Sequence, residues 1–245
     1  MDEPQLKKTQ TTAARVKRLQ VTAGLFRFSV AQFLVALVIL LAVYPFLLEL
    51  EHGDIIETVL ITVVLISAVL AVGGRTWGLA ILLVLPALAG PWIDRYRPDL
   101  VPQWVMPCAR MVFVGFVVMQ LLRFIARAER VNFEVLSAGI SAYLLMGLFW
   151  TSAYLMDAQL SPGSFSGLHL AGANRELGRF DALYLSYVSL TCLGCNDITP
   201  LSKVARMLMV LESLAGVLYL AVLIARLVAM YSRPKENNSN DKLKA

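Results

Sequence analysis

The sequence predicts an all-α membrane protein with six membrane-spanning helices, on the evidence of its composition and its long apolar runs. Of its 245 residues, 58% are hydrophobic and only 16% are charged, and the mean hydropathy is +0.68. A soluble domain carries about 25% charged residues. Several apolar runs reach the roughly 20 residues that a helix needs to cross the hydrocarbon core. We therefore expect a multi-pass protein of an inner or plasma membrane, in contact with membrane lipids.

Six apolar segments define the expected helices, and polar or helix-breaking residues separate them. The second segment ends at Gly73 and Gly74, and the third contains Pro86 and Pro91. The segment between the fifth and sixth helices is too polar and too short to cross the membrane. The expected helices span residues 28–48, 54–72, 77–93, 103–122, 135–155 and 204–230.

The distribution of lysine and arginine predicts that both termini are cytoplasmic, because loops rich in these residues stay on that side. With a cytoplasmic N-terminus, all the basic clusters fall on one side, and the opposite loops carry fewer basic residues mixed with acidic ones. The net charge of +5 follows largely from this pattern, so it does not indicate binding to nucleic acid. The clusters are Lys7, Lys8, Arg15, Lys17, Arg18 and Arg27, then Arg75, then Arg123, Arg127 and Arg130, and finally Arg233, Lys235, Lys242 and Lys244.

The loop between the fifth and sixth helices carries the most specific pattern of the chain. Residues 191–197 have the sequence T-C-L-G-C-N-D, after a short amphipathic segment at 180–190 and before the last apolar helix. This arrangement resembles the pore module of tetrameric potassium channels, whose filter loop has the pattern T-T-[VL]-G-[YF]-G-D. Thr191, Leu193, Gly194 and Asp197 match that pattern, whereas Cys192, Cys195 and Asn196 depart from it.

The resemblance covers roughly residues 135–230 and implies a re-entrant pore helix at 180–190 followed by a filter loop that enters from outside. One chain supplies one filter strand, and a pore on an axis needs four, so the resemblance implies a homotetramer. Rings of backbone carbonyls then replace the water around a permeant cation. The ion path corresponds to Thr191, Cys192, Leu193, Gly194, Cys195 and Asn196, and Asp197 corresponds to the outer mouth.

The resemblance also assigns roles to residues of the last helix. Gly216 lies nineteen residues after Asp197, where potassium channels often have a glycine hinge in the inner helix. The face that lines the cavity in that family corresponds to four residues whose steps of four, three and four positions keep them on one side of a helix. These residues are Ser213, Val217, Leu220 and Ile224.

The departures from the filter pattern predict weakened or altered potassium selectivity. Asn196 stands at a glycine position, and asparagine is the next most tolerant residue for positive φ. Cys195 replaces an aromatic residue that packs behind the filter in the family, so the loop should be less braced. Cys192 replaces a threonine whose hydroxyl forms the innermost ion site, and a thiol is a poor ligand for a hard cation. We expect monovalent cations to permeate, K+ and also Na+, with no cofactor.

Two alternatives remain open at this point. The chain could be a non-conducting relative of channels that acts as a membrane sensor or an assembly subunit. Cys192 and Cys195 form a C-x-x-C, which could gate the pore through a disulfide or by binding a soft metal ion. The simpler interpretation of this pair, as two small packed side chains, is favoured because no further metal ligand accompanies it.

Three further expectations concern charges and chemistry. The fourth helix holds only Arg110 in its core, with Arg123, Arg127 and Arg130 past its cytoplasmic end, so it lacks the arginine ladder of a voltage sensor. Glu212 lies one residue off the cavity face of the last helix, which favours a hydrogen bond to the pore helix. No phosphate-binding loop, nucleophile triad or metalloprotease pattern is present, so we expect no enzyme activity.

The chain therefore divides into four regions. A basic cytoplasmic arm spans 1–27, and a four-helix region spans 28–131. The pore module, from outer helix to inner helix, spans 132–231, and a short cytoplasmic tail spans 232–245. The expected partners are other copies of the chain, lipids and monovalent cations.

Overall fold

The computed structural model describes residues 30–46, 104–128, 130–167, 177–194 and 197–231, together with the helical positions 56, 59–60, 62–64 and 66–68. The predicted third helix, the basic arm at 1–27 and the tail at 232–245 lie outside the described residues. Two of the predicted filter residues, Cys195 and Asn196, lie outside them as well.

Besides the helical positions between 56 and 68, the described residues form five helices and one pair of short strands. Helix α1 is Val30–Phe46, and helix α2 is Val105–Arg127. The remaining elements are α3, Phe133–Leu160; β1, Phe165–Gly167; α4, Arg179–Leu190; β2, Ile198–Pro200; and α5, Lys203–Tyr231. The order of a long helix, a short helix, a loop and a long helix agrees with the order predicted for the C-terminal region.

The C-terminal boundary of α2 differs from the prediction and changes the position of two arginines. Helix α2 was expected to end near residue 122, but it continues to Arg127. Arg123 and Arg127 therefore lie within its last two turns and not beyond its end. The physical reason is that no glycine or proline interrupts this stretch, and the backbone becomes extended only at Ala128 (φ −67°, ψ 130°).

Three of the described helices are long and apolar enough to cross a membrane: residues 107–127, 133–160 and 203–230. They differ in how much of their surface the chain itself covers. In the best apolar window of α3, 44% of the residues are buried, whereas in that of α5 only 11% are buried. Helix α5 therefore presents most of its apolar surface to its surroundings, which requires lipid or further protein chains to cover it.

Two clusters of apolar side chains hold the described helices together. The larger cluster joins α1, α2 and the first half of α3 through residues such as Phe33, Phe113 and Val135. The smaller cluster joins the end of α3, the strands, α4 and the start of α5 through residues such as Tyr154 and Leu185. Small buried residues line the contact face of α3, which allows the neighbouring helices to approach closely. They are Ser137, Ala138, Gly139, Ser141 and Ala142.

The two strands were not predicted, and they tie the segment after α3 to the exit of the filter loop. They pair antiparallel, with Phe165 opposite Pro200 and Gly167 opposite Ile198. The amide of Leu201 also donates to the carbonyl of Ser164 at 2.7 Å. The C-terminal end of α3 and the start of α5 are thus connected close to the loop that they flank.

Candidate pore loop

Helix α4 ends in a backbone arrangement that caps its last carbonyls with the amides of the following loop. The amide of Cys192 donates to the carbonyl of Ser189, and the amide of Leu193 donates to the carbonyl of Val188, both at 3.1 Å. This pair of bonds is the Schellman motif, which requires the residue after the helix cap to adopt the left-handed conformation. Cys192 occupies that position with φ 55°, although glycine is the usual residue there.

Side chains of α3, of α5 and of the cap residue Thr191 donate further hydrogen bonds to the carbonyls at this end. The hydroxyl of Thr191 donates to the carbonyl of Tyr187 at 2.6 Å. Ser213 of α5 donates to the carbonyl of Ser189 at 3.0 Å, and Tyr143 of α3 donates to that of Leu190 at 3.3 Å. The base of the predicted filter loop is therefore anchored to both long helices that surround α4.

The loop beyond this cap is exposed. Leu193 is 73% exposed, and Gly194 is exposed as well, with φ 73°. Glycine adopts this left-handed conformation without a steric cost, so Gly194 fits a tight turn of the backbone at this position. Asp197, at the predicted outer mouth, accepts a hydrogen bond from Tyr184 of α4 at 3.1 Å. The exit of the loop is thereby connected to the helix that precedes it.

Gly216 lies where α5 packs closely against the end of α4. A methyl group at this position would lie 2.4 Å from the carbonyl oxygen of Leu190 and 3.0 Å from its side chain. Helix α5 runs without interruption from Lys203 to Tyr231 through this glycine. The structure therefore gives Gly216 a packing role at the base of the loop, and the predicted hinge stays a prediction.

The predicted cavity-lining residues lie on a face of α5 that the described chain leaves largely open. Val217 is 54% exposed, Leu220 is 39% exposed and Ile224 is 59% exposed. Ser213 is half-buried because its hydroxyl is bonded to α4. This exposure agrees with a face that lines a shared cavity, and their role as cavity lining remains a prediction.

Glu212 lies at the junction of α3, α4 and α5, and it is completely buried. One carboxyl oxygen, Oε2, lies 2.5 Å from the hydroxyl of Tyr154 in α3. The other, Oε1, lies 2.5 Å from the hydroxyl of Ser186 in α4. The predicted hydrogen bond between this glutamate and α4 is thus present within one chain, and Tyr154 is a partner that sequence patterns do not indicate.

Metal binding by the C-x-x-C is not tested by the structure, because Cys195 lies outside the described residues. Cys192 is a free and exposed thiol. Within the part of the chain that the structure describes, no three His, Cys, Asp or Glu side chains group together as a metal site.

Comparison with known families supports the assignment of this region. Residues 142–233 match the family model of an ion channel, Ion_trans_2. The matched segment contains most of α3, all of α4, the loop and all of α5. The family is one of ion channels, which confirms the expectation that the chain is not an enzyme. No significant match was found among curated proteins or among solved structures.

The ion-channel segment coincides with the site assembled above. The chain is a mostly helical membrane protein, and the similarity of this segment to a channel pore domain indicates passive ion conduction. Tyr143, Tyr154, Tyr184 and Ser186, which support the loop, were not identified from the sequence. Their partners lie between 13 and 58 residues away along the chain, so no local pattern could have revealed them.

Proposed function

We propose that four copies of the chain form a potassium-channel-like pore that passes monovalent cations with weakened or altered K+ selectivity. The observation that carries this proposal is the loop at 191–197, positioned by a short helix between two spanning helices within a segment similar to ion channels. Both termini are cytoplasmic, and the loop faces the outside.

Electrostatics at the loop favours a cation. The C-terminal end of a helix carries a partial negative charge, and α4 ends directly at the loop. Asp197 adds a carboxylate on the outer side, held by Tyr184. With four copies around an axis, four such helix ends and four carboxylates surround the ion path, which attracts cations and repels anions.

The exposed apolar face of α5 supports assembly. Val217, Leu220 and Ile224 lie in the most exposed of the three spanning helices. In a homotetramer, this face encloses the inner cavity and its edges pack against neighbouring copies. The mass of the purified protein, measured by native mass spectrometry in detergent, tests the expected fourfold assembly.

Weakened selectivity follows from the loop residues. Cys192 offers a thiol where the resemblance implies a hydroxyl, and its left-handed backbone is a conformation that costs a non-glycine residue about 1 kcal/mol or more. Cys195 and Asn196 complete the departure from the potassium filter pattern. A filter that is less rigid and less well matched to K+ discriminates less against Na+.

The experiment that tests this function is a reversal-potential measurement in planar bilayers with K+ on one side and Na+ on the other. We expect a cation current that reverses near zero. The control is the triple substitution Cys192→Thr, Cys195→Tyr and Asn196→Gly, which restores the filter pattern and should shift the reversal potential toward that of a K+ pore. A strongly K+-selective wild type would refute the altered selectivity, and silence from a proven tetramer would favour the non-conducting relative.

A second candidate, gating by thiol chemistry, is supported by the exposure of Cys192. An accessible thiol in the ion path can react with thiol reagents or bind a soft metal ion. Currents recorded before and after a methanethiosulfonate reagent test this candidate, with Cys192→Ser and Cys195→Ser as controls. Equal currents before and after the reagent would exclude it.

A further inference from the structure

The short oxygen–oxygen contacts around Glu212 outnumber the hydrogens that its two hydroxyl partners can supply. Three oxygen pairs are involved: Tyr154 Oη with Glu212 Oε2 at 2.5 Å, Ser186 Oγ with Glu212 Oε1 at 2.5 Å, and Ser186 Oγ with the carbonyl oxygen of Gly147 at 2.7 Å. Each of these contacts needs a hydrogen between the two oxygens, since two acceptors at this distance repel each other.

The available hydrogens decide the protonation state. A tyrosine or serine hydroxyl carries one hydrogen, and an ionised carboxylate carries none. With Glu212 ionised, Tyr154 and Ser186 supply two hydrogens for three contacts, so one of the Ser186 contacts has no hydrogen. With Glu212 neutral, its own hydrogen goes to Ser186 Oγ, the hydrogen of Ser186 goes to Gly147, and that of Tyr154 goes to Glu212 Oε2.

The surroundings of the carboxyl group agree with the neutral form. Glu212 is 0% exposed, and a buried carboxylate without a compensating positive charge is costly. Among the described residues, no Lys, Arg or His interacts with it. The other ionisable side chains near the carboxyl are tyrosines, namely Tyr143 and Tyr154 of α3 and Tyr187 of α4, and none of them supplies a positive charge.

We propose that Glu212 is a positioning residue that acts as a neutral carboxylic acid, joining α3, α4 and α5 directly behind the predicted filter. It holds α4 at Ser186, one turn before the helix end, while Gly216 contacts Leu190 one turn further along α5. The proton on Glu212 is therefore a structural component of the site. This inference concerns the packing of one chain and does not depend on which ion the pore conducts.

Replacing Glu212 by glutamine distinguishes a neutral carboxylic acid from an ionised carboxylate at this position. The glutamine amide has the same shape, donates to Ser186 through its NH2 group and accepts from Tyr154 through its oxygen. We expect Glu212→Gln to keep the thermal midpoint of the purified protein within about 2 °C of wild type, and Glu212→Ala to lower it by roughly 5 °C or more. If Glu212→Gln destabilises the protein as much as Glu212→Ala, the neutral acid is refuted.

The pH dependence of thermal stability provides a second test. A glutamate that only fills space, with no proton held in the native state, would leave the difference between wild type and Glu212→Gln independent of pH. If the native state holds a proton that the unfolded state releases, wild-type stability falls relative to Glu212→Gln as pH rises. We expect the midpoint difference, wild type minus variant, to become more negative from about pH 5 to about pH 9. A difference that stays constant or becomes more positive overturns the inference.

An infrared difference spectrum between wild type and Glu212→Gln provides the direct check. The spectrum should contain the C=O stretch of a carboxylic acid and lack the bands of a carboxylate. The reverse pattern overturns the inference. Neither the thermal nor the spectroscopic measurement requires a current, so a failure of the proposed channel function would leave the outcome of this test unaffected.

Discussion

Replacing Gly216 by alanine distinguishes its observed packing role from its predicted hinge role. The added methyl group would lie 2.4 Å from the carbonyl oxygen of Leu190, a backbone atom at the end of α4. An ordinary contact of this kind needs at least 3.4 Å. Helix α5 would therefore have to move by about 1 Å away from α4, at the base of the predicted filter loop.

The magnitude follows from two opposing terms. Overpacking costs roughly 1–3 kcal/mol. The cost applies here because the carbonyl of Leu190 is a backbone group and cannot rotate away as a side chain does. Alanine also favours the helix over glycine by about 1 kcal/mol. We therefore expect a net loss of stability of about 1 kcal/mol, the middle of the range that the two terms leave. A glycine that served only as a hinge would give the opposite sign, since removing its flexibility stabilises a continuous helix.

The assay is thermal unfolding of the purified protein together with current recording in bilayers. Gly115→Ala in α2 is the matched control, since its methyl group meets only the ring edge of Phe149 at 3.3 Å, a contact that a side chain can relieve. We expect Gly216→Ala to lower the thermal midpoint relative to this control and to change the conductance. An unchanged or raised midpoint for Gly216→Ala, combined with altered gating, would refute the packing argument and support the hinge.

Three further substitutions test local contacts, two of them at the loop and one at the end of α2. Tyr184→Phe removes the hydrogen bond to Asp197, at a cost of about 1 kcal/mol. We expect shorter open times in single-channel records, and unchanged open times would contradict a stabilising role of this bond. Arg226→Met removes the bond of 2.6 Å to the carbonyl of Ala126 at the C-terminal end of α2. Hydrogen exchange at that end should quicken, and unaltered exchange would count against a stabilising role of this bond. Cys192→Gly relieves the left-handed backbone and should raise the thermal midpoint, by about 1 kcal/mol in stability; a lower midpoint would mean that the thiol contributes contacts of its own.

Local composition was sufficient to predict the class of the protein, and the resemblance of its filter loop to that of potassium channels implied the order of the C-terminal elements. Apolar length alone identifies a spanning helix, because the bilayer sets the number of residues required. The short helix and loop before α5 were predicted within a residue or two.

The tertiary structure decided which residues support the loop. Cys192 adopts the left-handed conformation against its own preference because the amides of the Schellman motif and the packing of α4 impose it. The strand pairing of β1 with β2 joins segments more than 30 residues apart, which no periodicity in either strand could indicate.

Glu212 shows most clearly which features the sequence predicts and which only the tertiary structure decides. Its position one residue off the cavity face predicted a hydrogen bond to α4 and no more. Its partners Tyr154 and Ser186 are 58 and 26 residues away in the chain. The carbonyl of Gly147 belongs to the same network because it accepts a hydrogen bond from Ser186. Sequence determines which groups can donate or accept a hydrogen, whereas the packing of three helices determines which of them meet, and therefore where the proton has to be.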